Sequence, residues 1–301
     1  MKNFFNICIK ILIKDLSVPI SNTGDVSLSV ENLWGNQKMV NIINLSYKEN
    51  GTLNDAYYLK KINLNLPSYG LVIFTSDDKK SYLSLIKILV GLYTATKESK
   101  IIIDSEDFTK LKGEAKLSYI NTNIGFISEN SLLNPDLTVI DSIKLNSFLL
   151  KEEIDSTLEK LNLSLIRNKK ISKLTDEEKE CVCIAQAISK NPNILLVEPT
   201  ITKNTRYLNL LKYYSNNHLV LIFSEDKSTF NDETISFIEF KNGQLFNSSI
   251  KNNEGKILKR EKKSNKLNFI NTIKLTLSYL KRNIIQAVIT LLLFITGLTL
   301  Y

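Results

Sequence analysis

Three short runs in this chain are apolar at almost every position: LVIFT (Leu71–Thr75), ILLV (Ile194–Val197) and LVLIF (Leu219–Phe223). A strand with one wet face alternates apolar and polar residues, so runs without alternation belong to strands covered on both sides. The pattern calls for a mainly parallel sheet between two layers, an α/β architecture. Further strands are expected at Val40–Tyr47, Leu59–Leu66, Lys100–Ser105, Asn123–Ser128 and Ile235–Phe246, the last folded at Asn242-Gly243. After Thr75, a helix over Ser81–Tyr93 would place Leu85, Ile88, Leu89 and Leu92 on one face. From Glu129 to Pro192 helical periodicity dominates and no strand is expected. One α/β domain over residues 39–248, with a helical insert, is the result.

The charge lies elsewhere. The net +8 of the whole chain equals the charge between Lys251 and Arg282, which holds ten Lys/Arg and two Glu. The rest is neutral, whereas a nucleic-acid binder carries its positive charge on the folded domain, so no nucleic-acid partner is expected. Directly after the basic stretch, Ile284–Tyr301 runs for 18 residues without a charge. As a helix it would span roughly 27 Å at ~1.5 Å per residue, close to the ~30 Å hydrocarbon core. A buried core helix is the alternative. Ile270, Ile273, Leu277 and Leu280 fall at helical spacing between polar residues, the pattern of an amphipathic helix lying in an anionic lipid interface. The positive-inside rule then puts everything upstream in the cytoplasm. Residues 1–38 read as an N-terminal extension, with a short basic amphipathic helix in MKNFFNICIKILIKDL as one possibility.

Cys8, Cys181 and Cys183 are too few for a disulfide framework, and His218 is the single histidine. Cys181 and Cys183, two apart on a helix, face different ways and make no metal site. His218 is expected to be solvated. Glycine is scarce, ten in 301 residues, about 3% against a usual ~7%. That matters because strand LVIFT, a loop and an apolar helix form the setting of a phosphate-binding P-loop, which uses glycines to close backbone N–H groups around phosphates. The loop here, Ser76 to Ser84, contains none.

The wider sequence nevertheless resembles an ATP-binding-cassette (ABC) ATPase domain, of the type fused to permeases in macrolide export and lipoprotein release. LKKINLNLPSYGLVIFTSDDKKSYLSLIKILVGLY follows the family's strand, P-loop and first helix without a gap. IIIDSEDFTKL, NIGFISENSLLNPDLTVIDSI, SKLTDEEKECVCIAQAISKNPNILLVEPT and ISFIEFKNGQLF follow its later segments in order. The resemblance covers about 210 residues and implies a P-loop NTPase-like fold with a mainly parallel central sheet, an antiparallel β subdomain and a helical insert. It implies ATP and Mg2+ as cofactors. As partners it implies a permease subunit or domain and a second cassette.

The framework agrees with the family, but the reactive positions depart from it. In the ungapped register the P-loop covers Ser76, Asp77, Asp78, Lys79, Lys80, Ser81, Tyr82, Leu83 and Ser84; its lysine falls on Tyr82 and its glycines on Ser76, Lys79 and Ser81. A two-residue slip would supply Lys80-Ser81 as the Lys-Ser pair, but turns the helix by roughly 200°. The signature becomes Leu174, Thr175, Asp176, Glu177, Glu178, a run that also reads as a capping box from Thr175 to Glu178. Glu198 alone stands where the family has adjacent Asp and Glu. Glu129 takes the Q-loop position, Asn204 the D-loop aspartate and Glu225 the switch histidine. Tyr47 is at the adenine-stacking position, although a packed tyrosine serves equally well. Weak or absent nucleotide binding is therefore expected: a cassette at the cytoplasmic face of the plasma membrane, degenerate in chemistry, with residues 249–283 as basic linker and 284–301 as a membrane helix entering a permease domain. An active ATPase using Lys80, Ser81 and Glu198 is the alternative, and a decayed or truncated product the third.

Overall fold

The structure, a computed structural model, describes residues 40–49, 57–128, 133–145, 147, 149, 151–198, 205–224, 230, 235–250, 273 and 288. The N-terminal extension, Glu129, Asn204, Glu225 and the expected interfacial and membrane helices lie outside these, apart from Ile273 and Val288. Among the described residues no helix is long and apolar enough to cross a membrane.

The strands are β1 (Val40–Lys48), β2 (Tyr57–Leu66), β3 (Gly70–Ser76), β4 (Lys100–Ile103), β5 (Glu106–Asp107), β6 (Ile124–Ile127), β7 (Ile194–Val197), β8 (Leu219–Ser224), β9 (Ser236–Lys241) and β10 (Gln244–Ser249). They form a six-stranded sheet in the order β10-β9-β3-β8-β7-β6 and a four-stranded sheet, β2-β1-β4-β5. In the larger sheet β9, β3, β8, β7 and β6 pair in parallel, with β10 antiparallel at one edge. The smaller sheet is antiparallel throughout.

Helices α1 (Lys79–Leu89), α2 (Gly113–Asn123), α3 (Val139–Lys144), α4 (Lys151–Lys160), α5 (Asp176–Ser189) and α6 (Thr205–Ser215) complete the elements that matter here. Between Ser128 and Pro192 the described residues contain helices α3 to α5, two short 3-10 turns and no strand, as the periodicity requires.

Alternate residues of the central strands enter two separate cores. Val72, Phe74, Leu196, Leu221 and Phe223 pack with α1 and the four-stranded sheet. Leu71, Ile73, Leu195, Val197, Val220 and Ile222 pack with α3 to α6. This is why the strands are apolar at every position. Phe74 stacks on Phe223, with ring centroids 5.1 Å apart, and meets Phe240 at 5.7 Å, tying three parallel strands under α1.

Helix α1 departs from its sequence expectation at both ends. It begins two residues early because Asp78 caps it, and stops at Leu89, where Gly91 turns the chain at φ +80°. A Cβ on Gly91 would lie 2.6 Å from Ile120 Cδ1, so α2 packs closely there. Leu92 falls beyond the helix and is 73% exposed rather than buried. Helices α2 and α6 are elements that the apolar spacing did not announce; α2 buries only Tyr119 and Asn123.

Gly125 is a tight point at the sheet edge. A Cβ there would sit 2.7 Å from Pro192 Cγ, 2.9 Å from Leu195 Cδ1 and 3.2 Å from Ala187 O. Gly125→Ala is expected to destabilise the fold by about 1–3 kcal/mol through overpacking. In urea titration the midpoint should fall while the denaturant slope stays constant.

Candidate functional site

In parallel α/β sheets ligands bind outside the carboxyl ends of the strands. Here those ends carry Ser76 on β3, Ser224 on β8, Ser128 after β6 and Glu198 after β7. Thr75 pairs with Ser224, and the amide of Glu198 donates to Ile127 O at 3.0 Å, extending the β6–β7 ladder by one bond. Glu198 is half-buried, and β8 separates its strand from β3.

Ser76 ends β3, and the two-residue bend Asp77-Asp78 leads directly into α1. The Asp78 carboxylate accepts from the Lys80 amide at 3.0 Å, and its carbonyl accepts from Ser81 N at 3.1 Å. Asp78 N donates in turn to Ser76 Oγ at 3.2 Å. The Lys80 and Ser81 amides of α1 are thus engaged by Asp78. Asp77 is exposed and accepts from the backbone amide of Asn242.

The side chains of α1 divide by face. Lys79 and Lys80 are exposed, and Lys80 Nζ lies 5.1 Å from the centre of the Tyr58 ring. Ser81, Tyr82 and Ser84 are buried, while Leu83 is half-buried. Tyr82 is 2% exposed and packs against Phe223 at 6.1 Å, so it points into the core. Ser81 Oγ is buried without a hydrogen-bond partner.

Tyr47 is buried and lies parallel to Tyr93, with ring centroids 4.7 Å apart, which occupies one face of its ring. Burial, with Tyr93 beside it, pushes its phenol above the ordinary range. Nothing in the local pattern around Tyr93 signals this pairing.

At the start of α5 the capping box is formed. Thr175 Oγ1 accepts from Glu178 N at 3.2 Å, and the Glu178 carboxylate accepts from Thr175 N at 2.8 Å. Lys169 Nζ lies 3.1 Å from Glu178, and Lys179 Nζ lies 2.9 Å from Asp176. The Thr175 amide first, then Lys169, hold the Glu178 carboxyl below its usual range. The hydrogen bond from Lys179 does the same for Asp176. Glu177 is exposed.

The remaining candidates are packed residues. Cys181 and Cys183 are buried, and Cys181 Sγ lies 3.3 Å from Tyr207 Oη. His218 is held rather than simply solvated: its ring stacks on Tyr214 at 3.7 Å, and Nε2 lies 2.9 Å from Asn191 Oδ1. Among the described residues no group of three or more His, Cys, Asp or Glu is placed to hold a metal ion.

A parallel sheet with a strand–bend–helix at its centre, a capped helix leading into β7 and an antiparallel sheet over α1 is a specific combination, and residues 80–201 match the family model described as ABC transporter. The chain thus resembles an ABC transporter ATP-binding-cassette domain. The cassette is 27% identical over 227 residues to the lipoprotein-releasing system ATP-binding protein LolD of Buchnera aphidicola, a match covering 71% of this chain and 98% of that relative. It is 29% identical over 153 residues to the molybdate/tungstate import ATP-binding protein WtpC of Methanocaldococcus jannaschii, covering 48% of each chain. In fold it is similar to the dimeric structure of MJ0796, a bacterial ABC transporter cassette, at a TM-score of 0.59 and 21% identity over 70% of this chain and 98% of that one. The lipoprotein-release type fits the LolD relative. Cassettes of this family in general bind ATP with Mg2+, pair with permease subunits and dimerise.

The capping box gives a direct test. Thr175→Ala is expected to cost about 1 kcal/mol in urea unfolding. Because the folded pKa of Glu178 is depressed, its contribution is present above the ordinary glutamate range and is lost as pH falls through the folded value. Glu178→Gln should therefore flatten the acid limb of the stability profile.

Proposed function

We propose that this cassette belongs to an export-type transporter but has lost the chemistry of ATP hydrolysis, so that it scaffolds or regulates its partners. The observation that carries this reading is the start of α1. Its Lys80 and Ser81 amides are engaged by Asp78, and Tyr82, at the position of the phosphate-contacting lysine in the ungapped register, packs in the core. A nucleotide triphosphate with Mg2+ does not fit these residues: the bend offers no glycine-lined cradle, and Asp77 and Asp78 bring negative charge to the place where phosphates would lie. Repulsion of one unit charge at ~4 Å is about 1 kcal/mol in bulk water and about 4 kcal/mol near a protein surface, and the exposure of Asp77 puts it toward the lower figure. Charge alone thus weakens binding modestly; the engagement of the Lys80 and Ser81 amides by Asp78 and the core position of Tyr82 account for the rest. Glu198 supplies one carboxylate where the family uses two. Glu129 and Glu225 would replace a glutamine and a histidine.

The active reading, with Lys80, Ser81 and Glu198 as the working residues, draws support from the relatives, both described as ATP-binding proteins. Ser81 is buried in α1, which speaks against it. The proposed organisation is a cassette over residues 39–248, a basic interfacial linker over 249–283 and a membrane helix over 284–301 entering a permease domain. The cassette would lie on the cytoplasmic side of the plasma membrane, with a second cassette as a further partner. Its support is the +8 charge of residues 251–282 followed by an uncharged apolar run.

Calorimetry on the full chain should show Mg-ATP binding no tighter than about millimolar and phosphate release at background, since most affinity for the triphosphate comes from N–H groups and lysine. Low-micromolar affinity would establish the active reading instead. For the membrane reading, a chain ending at Asn283 should bind anionic vesicles at low ionic strength and leave them at high salt, each Lys or Arg contributing ~1 kcal/mol of a screened term. The full chain should stay bound throughout the salt series; if it also washes off, residues 284–301 do not span the bilayer.

A further inference from the structure

The bend between β3 and α1 makes one contact that the local chain does not require. The two carboxylate oxygens of Asp77 lie 3.2 and 3.4 Å from the backbone nitrogen of Asn242, 165 residues away in the β9–β10 turn. That turn is pinned from its other side as well. The Lys60 amide donates to Gly243 O at 2.8 Å. Gly243 adopts φ +74°, and a Cβ there would sit 2.7 Å from Tyr58 O, so the turn lies directly against β2. Lys80 on α1 reaches back over the Tyr58 ring. The contacts therefore close a circuit, from bend to turn to β2 to α1.

We propose that Asp77 is a carboxylate latch that holds the β9–β10 turn against the start of α1. The carboxyl end of a central parallel strand and the first turn of the following helix form a natural anion position. Asp78 supplies an anion there from within the chain by capping α1, and Asp77 beside it directs its carboxylate at the turn amide. Engaged, the latch ties the hairpin to the bend. Released, it leaves the hairpin held by β9, by the Lys60 hydrogen bond and by its packing on β2, and the state of α1's first turn is transmitted to the last described strand before residue 251. The latch concerns the same bend as the proposed loss of ATP chemistry but does not depend on it.

Hydrogen exchange on the full chain tests this. The readout is protection of the Asn242 amide relative to the amides of Val72 and Leu221 in the central sheet, so that a global change in stability cancels. Asp77→Ala should speed Asn242 exchange on the order of tenfold, the loss of about one charge-assisted hydrogen bond. Asp77→Asn keeps a neutral acceptor and should speed it by less. Asp78→Ala removes the α1 cap but leaves Asp77 in place, and should leave Asn242 unchanged. Equal relative protection in wild type and Asp77→Ala overturns the latch, and so does an equal loss in Asp77→Ala and Asp78→Ala. No nucleotide enters the measurement, so the latch and the ATP reading can fail separately.

Discussion

Everything in this cassette depends on sealing a parallel sheet on both faces at once. Along β3, Val72 and Phe74 serve one core while Leu71 and Ile73 serve the other, and β7 and β8 follow the same alternation. Moving any of these strands by one residue would exchange its two faces and leave a larger aromatic such as Phe74 against the wrong layer. The register is thus over-determined, and the carboxyl ends of β3, β8 and β7 are held in a common row. The bend to α1, the position of Glu198 and the level of Ser224 all follow from that row.

Helix α1 shows how the same demand reshapes the chemistry. Its buried face extends from Leu89 back to Ser81 and Tyr82, almost to the first residue. A tyrosine at that place adds apolar contact with Phe223 and removes the site from solvent; a long cation reaching for a ligand could not share it. The helix then needs its own cap, and Asp78 supplies one, satisfying the Lys80 and Ser81 amides and favouring the helix dipole. A ligand-binding start of a helix keeps those donors free. This one is built as an ordinary, well-terminated helix in a fold that elsewhere uses the position for phosphate, which is the physical content of the proposed loss of ATP chemistry.

Legibility in the sequence tracks the range of the interaction. The strands read as apolar runs appear within one or two residues of their expected bounds, and the Thr175–Glu178 box forms as its spacing requires, because both signals are local. Helix α2 escaped because it buries little, and a periodic apolar stripe is the signal by which a helix is read. Leu92 misled because periodicity continues through a residue that Gly91 turns out of the helix. His218 read as a lone strand-end residue, yet one helical turn from Tyr214 it has a ring to stack on.

By itself the sequence determined the α/β class, the positions of the main strands along the chain, the helical insert and the place where the charge resides, all of which depend on residue type and spacing along a short stretch. It also placed Asp77 and Asp78 in the connection after β3 and Tyr82 in the helix that follows, but not what they do. Only the tertiary structure decided that Tyr82 faces the core, that Tyr47 lies on Tyr93, and that Asp77 meets Asn242. Each of those contacts joins segments brought together by the closure of two cores, and no local pattern records which distant backbone amide will come to lie beside a carboxylate.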